Sequence, residues 1–187
     1  VIGTLGSGLA GALEPAINTT PDAALLQETL ASLRERGARV VAMEVSSIGL
    51  DQGRVNGTHF DVALFTNLSR DHLDYHGTME AYGAAKARLF GWPGLSAAVI
   101  TADDDFGVRL AEDVRRRGQR TLTYGVSHGE VTARALDLSS RGMRIEVATP
   151  QGSGTLETRL VGTFNASNLL GTLAVLLASD VALEDAL

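Results

Sequence analysis

Residues 62–101, VALFTNLSRDHLDYHGTMEAYGAAKARLFGWPGLSAAVIT, read as a strand, a helix and a second strand. The runs Val62–Asn67 and Ala97–Thr101 are almost continuously apolar, the pattern of strands covered on both faces of a parallel sheet. Between them a helix is expected from Met79 to about Phe90, with Thr78 as N-cap and Glu80 in its first turn. The alternation continues outward. Asp103–Gly118 reads as a helix and Thr121–Val126 as a strand. Upstream, Asp22 caps a helix to about Arg36, with Leu25, Leu26, Leu30 and Leu33 on its apolar face. Arg39–Val45 (RVVAMEV) predicts another buried parallel strand. Val1–Leu5 predicts a strand leading into a glycine-rich mobile loop, Gly6–Gly11, and then a polar loop, Glu14–Pro21. Strands alternating with helices imply right-handed crossovers, hence an α/β fold with a doubly wound, mostly parallel sheet. After Gly125 the segments Val131–Leu138, Met143–Ala148 and Thr155–Leu160 are short and alternating, predicting a small antiparallel β meander attached to that sheet. Asn165 opens a last helix through about Ala178.

Composition narrows the function classes. The 187 residues suffice for one sizeable domain, and the formal net charge of −6 leaves no basic stripe for nucleic acid or a membrane surface. No cysteine is present, which excludes disulfides, thiolate nucleophiles and zinc–thiolate sites. No apolar run is long enough to span a bilayer. Of 16 basic residues 15 are arginine, and Lys86 is the sole lysine. Where charge alone matters arginine serves, so a retained lysine points to a place that needs an amine. Lys86 shares a stripe with Met79, Tyr82 and Phe90, the face of its helix that should turn inward. A buried ammonium is costly unless paired, deprotonated or modified, whereas a lysine at the edge of the stripe would simply snorkel to water.

In open parallel sheets ligands sit beyond the carboxyl ends of the strands. Two loops there carry functional groups: Glu44-Val45-Ser46-Ser47, and the Asn67–Asp74 stretch with Asp71 and His72. Convergence of Glu44 and His72 would suit a hard divalent cation beside phosphates. The alternative is that Glu44 closes a strand while Asp71 and His72 shape a turn. His76 reads as a solvated loop residue, and His59 and His128 have no evident partner. Gly6-Ser7-Gly8-Leu9-Ala10-Gly11 has the spacing of a dinucleotide fingerprint, but Pro15 and the Asn18–Pro21 loop follow where a helix should open. A phosphate-gripping G-x-x-x-x-G-K-[ST] loop is absent, since Ala85 and Ala87 flank the only lysine. Asn165 and Asn168 lie one turn apart at a helix start. Asn165 is the expected cap, and although Asn168 could present its amide to a purine edge, the residues alone favour the capping account.

Taken in order, NTTPD (18–22), EVSS (44–47), DQGR (51–54), TNLSRDHLDYHGTMEAYGAAKARLF (66–90) and GTFNASNLL (162–170) closely resemble the Mur ligase family. Within it the resemblance is to the members that add the third residue of the peptide to a UDP-muramoyl dipeptide. It covers essentially the whole chain and implies the family's central, ATP-dependent domain. It further implies that Lys86 is carbamylated and, with Glu44 and His72, serves Mg2+, Lys86 and His72 being the residues closest to the chemistry. Asn18, Thr19, Thr20, Ser46, Gln52 and Arg54 match positions that hold the UDP-N-acetylmuramoyl dipeptide. Asn168, with Asn165 beside it, matches the adenine contact of ATP. The implied reaction is amide ligation through an acyl phosphate, with a free amino acid (diaminopimelate or lysine) as second substrate. The implied setting is the bacterial cytoplasm, with a monomeric enzyme and no nucleic-acid or membrane partner. Ile48 departs from the family, which usually has His there.

Val1 begins within a strand pattern and Leu187 ends within a helical one, so the chain is expected to be a fragment. The phosphate-gripping loop is expected upstream of Val1, and the UDP-binding and amino-acid-binding domains outside the chain. Three other readings compete: a D-glutamate-adding or folylpolyglutamate-type ligase, a metallohydrolase built on Asp71, His72, Asp74 and His76, and a non-catalytic binding module.

Overall fold

A computed structural model describes residues 1–187. In chain order the elements are β1 (Ile2–Gly3), β2 (Gly6–Leu9), β3 (Ala12–Glu14), α1 (Ala23–Glu35), α2 (Ser47–Asp51), β4 (Val62–Phe65), α3 (Leu73–His76) and α4 (Met79–Ala87). They continue with β5 (Ala97–Thr101), α5 (Asp105–Arg116), β6 (Thr121–Gly125), β7 (Val131–Ser139), β8 (Gly142–Thr149), β9 (Gly152–Thr158), α6 (Thr163–Ala178) and α7 (Leu183–Ala186). The chain divides into two compact units: Val1–His59 with Arg70–Leu89, and Phe60–Ser69 with Phe90–Leu187.

The second unit carries the main sheet, in the order β4-β5-β6-β7-β8-β9. The pairs from β4 to β7 are parallel, and β7-β8-β9 is the antiparallel meander, joined to the parallel part through β6 and β7. Every residue of β5 is buried, as a strand covered on both faces requires. Ala97 and Val99 pack with Ala166, Leu170, Leu173, Ala174 and Leu177 of α6. Their spacing of three and four residues is the apolar stripe of that helix. Alternation turns Ala98 and Ile100 to the opposite face, and α5 lies against β5 and β6. Tyr124 on β6 reaches Phe65 of β4, its hydroxyl donating to that carbonyl at 3.2 Å. Its ring lies where a Cβ on Gly171 would meet it at 2.9 Å, so only glycine fits there. Burial pushes the Tyr124 hydroxyl above its ordinary pKa, and the nearby Asp103 carboxylate adds to the shift. Asp103 also accepts from the backbone N–H groups of Val126, Ser127 and His128, and lies 3.4 Å from the His128 ring. His128 therefore has a partner that its sequence context does not reveal.

The first unit differs from expectation in three places. The glycine-rich stretch is a hairpin rather than a mobile loop: β2 pairs with β3, and the register Leu9↔Ala12 leaves Ala10-Gly11 as a two-residue turn. Gly11 takes φ +83, a conformation glycine adopts without cost. Arg39–Val45 is not a buried strand. It makes a single parallel bridge, Met43 to Ile2, and Val40 is 86% exposed. A parallel strand is buried when ladders and helices flank it, and one bridging residue does not supply that cover. The helix after Thr78 also ends earlier than expected, at Ala87, followed by a 3-10 turn over Arg88–Gly91.

Candidate functional site

In the first unit, the polar residues around α2, α3 and α4 form a connected set. It begins at Thr19, whose hydroxyl lies 3.0 Å from that of Thr4. Thr4 donates to Glu44 Oε2 at 2.6 Å. The carboxylate rests against Gly3, where a Cβ would meet Oε1 at 2.7 Å, so a bare backbone is what lets Glu44 lie there. Thr20 is fully buried. Its hydroxyl donates to the Glu44 carbonyl and accepts from the Ser46 N–H, both at 2.9 Å. The Thr20 carbonyl accepts from Arg54 Nη1 at 2.9 Å, and Arg54 Nε donates to Gln52 Oε1 at 2.9 Å. Ser46 caps α2 by accepting from the Gly49 N–H at 3.0 Å. Gly49 is pressed against this turn, since a Cβ there would meet Thr20 Cγ2 at 2.9 Å. Asn18 is exposed.

The set continues through Ser47, which is buried. Its hydroxyl lies 2.9 Å from His76 Nε2. The His76 ring stacks on Tyr82 with centroids 5.4 Å apart and planes 24° apart. Tyr82 is the shared platform: His72 meets it edge-on at 5.8 Å, and Lys86 Nζ stands 5.0 Å from its centroid. An ammonium over an aromatic face is attracted by the ring quadrupole. Lys86 is thus half-buried, at the edge of the inward stripe that Tyr82 centres. His72 takes φ +52, a left-handed conformation uncommon for a non-glycine residue. Asp71 steadies it, accepting from its N–H at 2.8 Å and lying 3.6 Å from its Nε2. Tyr75 donates to Asp51 at 2.9 Å, and Asp51 pairs with Arg88 at 3.0 Å.

Of the predicted site residues, Thr19, Thr20, Glu44, Ser46, Gln52 and Arg54 are joined by hydrogen bonds, with Thr4 as an unforeseen link. His72 and Lys86 meet through Tyr82. No hydrogen bond or ion pair joins Glu44 to His72, and no group of three or more His, Cys, Asp or Glu side chains is placed to hold a metal ion. The Asp71/His72/Asp74/His76 metallohydrolase reading therefore fails: His76 turns to Ser47 and Tyr82 instead. In the second unit Gly162, not Asn165, occupies the N-cap of α6. Asn165 lies inside the first turn and donates back to the Val161 carbonyl at 2.8 Å, while Asn168 is exposed.

A Mur ligase middle-domain model matches residues 1–176. The chain belongs to the Mur ligase family. Among its relatives is the UDP-N-acetylmuramoyl-L-alanyl-D-glutamate–2,6-diaminopimelate ligase of Chromobacterium violaceum, 53% identical over 186 residues, covering 100% of this chain and 38% of that protein. The ligase of the same name from Pseudomonas aeruginosa is 51% identical over 189 residues, with the same coverage. A solved structure of a ligase of that name has a TM-score of 0.90 and 38% identity, covering 98% of this chain and 38% of its own. MurF from Acinetobacter baumannii is more distant, with a TM-score of 0.60, 26% identity and coverage of 67% and 27%. The chain thus spans little more than a third of the length of the diaminopimelate ligases it matches, and the match covers about a quarter of the MurF chain. None of its helices is long and apolar enough to cross a membrane.

Proposed function

We propose that this chain is the central domain of an ATP-dependent ligase that joins 2,6-diaminopimelate to UDP-N-acetylmuramoyl-L-alanyl-D-glutamate in the bacterial cytoplasm, during synthesis of the cell-wall peptide. The observation that carries it is the continuous path from Thr19 through Glu44, Thr20 and Ser46, and from Ser47 through His76 to Tyr82 and Lys86. It unites residues matching the family's dipeptide-binding positions with the sole lysine. The likeness to diaminopimelate ligases supports diaminopimelate over lysine as the amine.

In this reaction a carboxylate oxygen of the dipeptide attacks the γ-phosphorus of ATP, ADP leaves, and an acyl phosphate forms. The amine of the amino acid then attacks the acyl carbon, loses a proton, and phosphate departs. Magnesium would neutralise phosphate charge during both steps. The residues present fit such an ion in part. Glu44 is exposed and offers hard oxygens, and His72 a ring nitrogen. Lys86 becomes an anionic oxygen donor only when its amine adds carbon dioxide and releases a proton. Arginine cannot follow that route, because its guanidinium is not a usable amine nucleophile. Thr19, Thr20, Ser46, Gln52 and Arg54 position the dipeptide, with Asn18 exposed beside them, and Asn168, next to Asn165, meets adenine. Placing the reacting groups is the main work left to such residues.

The test uses the full-length protein. Phosphate release should require ATP, the UDP-linked dipeptide and diaminopimelate together, and should fall sharply when lysine replaces diaminopimelate. The 187-residue chain alone should release none. Release without nucleotide, or without the dipeptide, would overturn the reading.

A further inference from the structure

We propose that His76 is a positioning residue for the ligation, locking the Ser46–Ser47 turn onto the Tyr82 ring; the inference rests on the ligase reading above. His76 ends α3, a helix of four residues too short to hold itself and therefore dependent on tertiary ties. One of those ties, Tyr75 to Asp51, lies at the surface, where such contacts contribute little. The His76 tie is different. His76 Nε2 sits 2.9 Å from the hydroxyl of Ser47, a residue only 2% exposed, and its ring stacks on Tyr82, 5% exposed. A hydrogen bond at so buried a hydroxyl is costly to leave unmade. Ser47 follows Ser46, whose N–H is held by the buried Thr20 hydroxyl and whose own oxygen caps α2. Tyr82 in turn bears His72 on its edge and the Lys86 amine over its ring. One imidazole therefore fixes the distance between the turn that meets the dipeptide and the helix that carries the amine. Displacements of the order of 1 Å at such a joint are enough to slow positioned chemistry severely.

The experiment takes kcat and KM for the UDP-linked dipeptide on the full-length protein, at saturating ATP and amino acid. His76→Phe keeps a ring on Tyr82 and removes the hydrogen bond, Ser47→Ala removes it from the other side, and His76→Gln restores a bonding group. His76→Phe and Ser47→Ala should each raise KM about tenfold with kcat changed less than about threefold. The double variant should be no worse than either single, because both remove one interaction. His76→Gln should recover most of the KM. Multiplying costs, an unchanged KM in both single variants, or a loss confined to kcat would overturn the proposal. Should His76→Phe fail to fold, the other two decide: a raised KM in Ser47→Ala with His76→Gln near wild type supports the proposal, and any other pair of results overturns it. A wild-type protein without ligation would remove the ligase reading and this inference together. A wild-type protein that ligates while the costs multiply removes this inference alone.

Discussion

Each unit buries apolar side chains, Leu26, Leu33 and Val55 in the first and Ala97, Val99 and Leu170 in the second, and they differ in what is added to that burial. In the second, a strand buried along its whole length and a helix with an apolar stripe supply eight of the fourteen residues of one core cluster. Nonpolar area removed from water dominates there. In the first, the buried Thr20 hydroxyl ties two backbone groups, and His76 links α2 to α4 by a hydrogen bond to Ser47 and a stack on Tyr82. Apolar packing tolerates approximate shapes, whereas a polar network demands that each partner be in place. The first arrangement suits a scaffold, and the second suits a site whose geometry matters more than its stability.

That contrast can be broken or sharpened by substitution. Leu170→Ala, in the fully buried stripe of α6, should cost about 2–5 kcal/mol in denaturant unfolding of the sheet unit. Thr20→Val should cost about 1–3 kcal/mol, because the Ser46 N–H and Glu44 carbonyl lose a buried partner while the volume is conserved. It should also raise KM for the dipeptide, an effect Leu170→Ala should lack at temperatures where both fold. Tyr124 gives an alkaline signature. Its hydroxyl titrates higher folded than unfolded, so the unfolded chain loses its proton first and stability falls as pH rises above the ordinary tyrosine value of 10.0. Melting temperatures of wild type and Tyr124→Phe between about pH 8 and about pH 11 should fall more steeply in the wild type. The smallest effect belongs to Arg144→Ala. Arg144 faces Glu157 across β8 and β9 in a surface pair, and its loss should cost less than about 1 kcal/mol in the same unfolding assay.

Much of the sheet unit is legible in sequence, because continuous apolar runs such as AAVIT have few other uses in a chain without membrane spans. The caps at Asp22 and Thr78 were legible for a similar reason: they act within three residues along the chain. The hairpin at Gly6–Gly11 was not, since its glycines answer to the close approach of β3 rather than to local flexibility. Arg39–Val45 has the composition of a buried strand, yet burial depends on neighbours that an isolated segment does not display. At the site, the residue types were readable and their pairing was not. Tyr82 shared a stripe with Lys86, but no periodicity announces that His76 reaches Ser47 across 29 positions. Glu44 and His72 show the same gap, since their contacts with Thr4 and Asp71 are not announced by residue type.

The most direct test of the account is the chemical state of Lys86 in the full-length protein. Carbon-13 NMR in labelled bicarbonate should show one protein-bound carbamate signal, absent from Lys86→Arg, whose kcat should fall about 10²- to 10³-fold while its fold persists. A wild-type protein that ligates at full rate with no such signal, or a Lys86→Arg variant that ligates like the wild type, would contradict it.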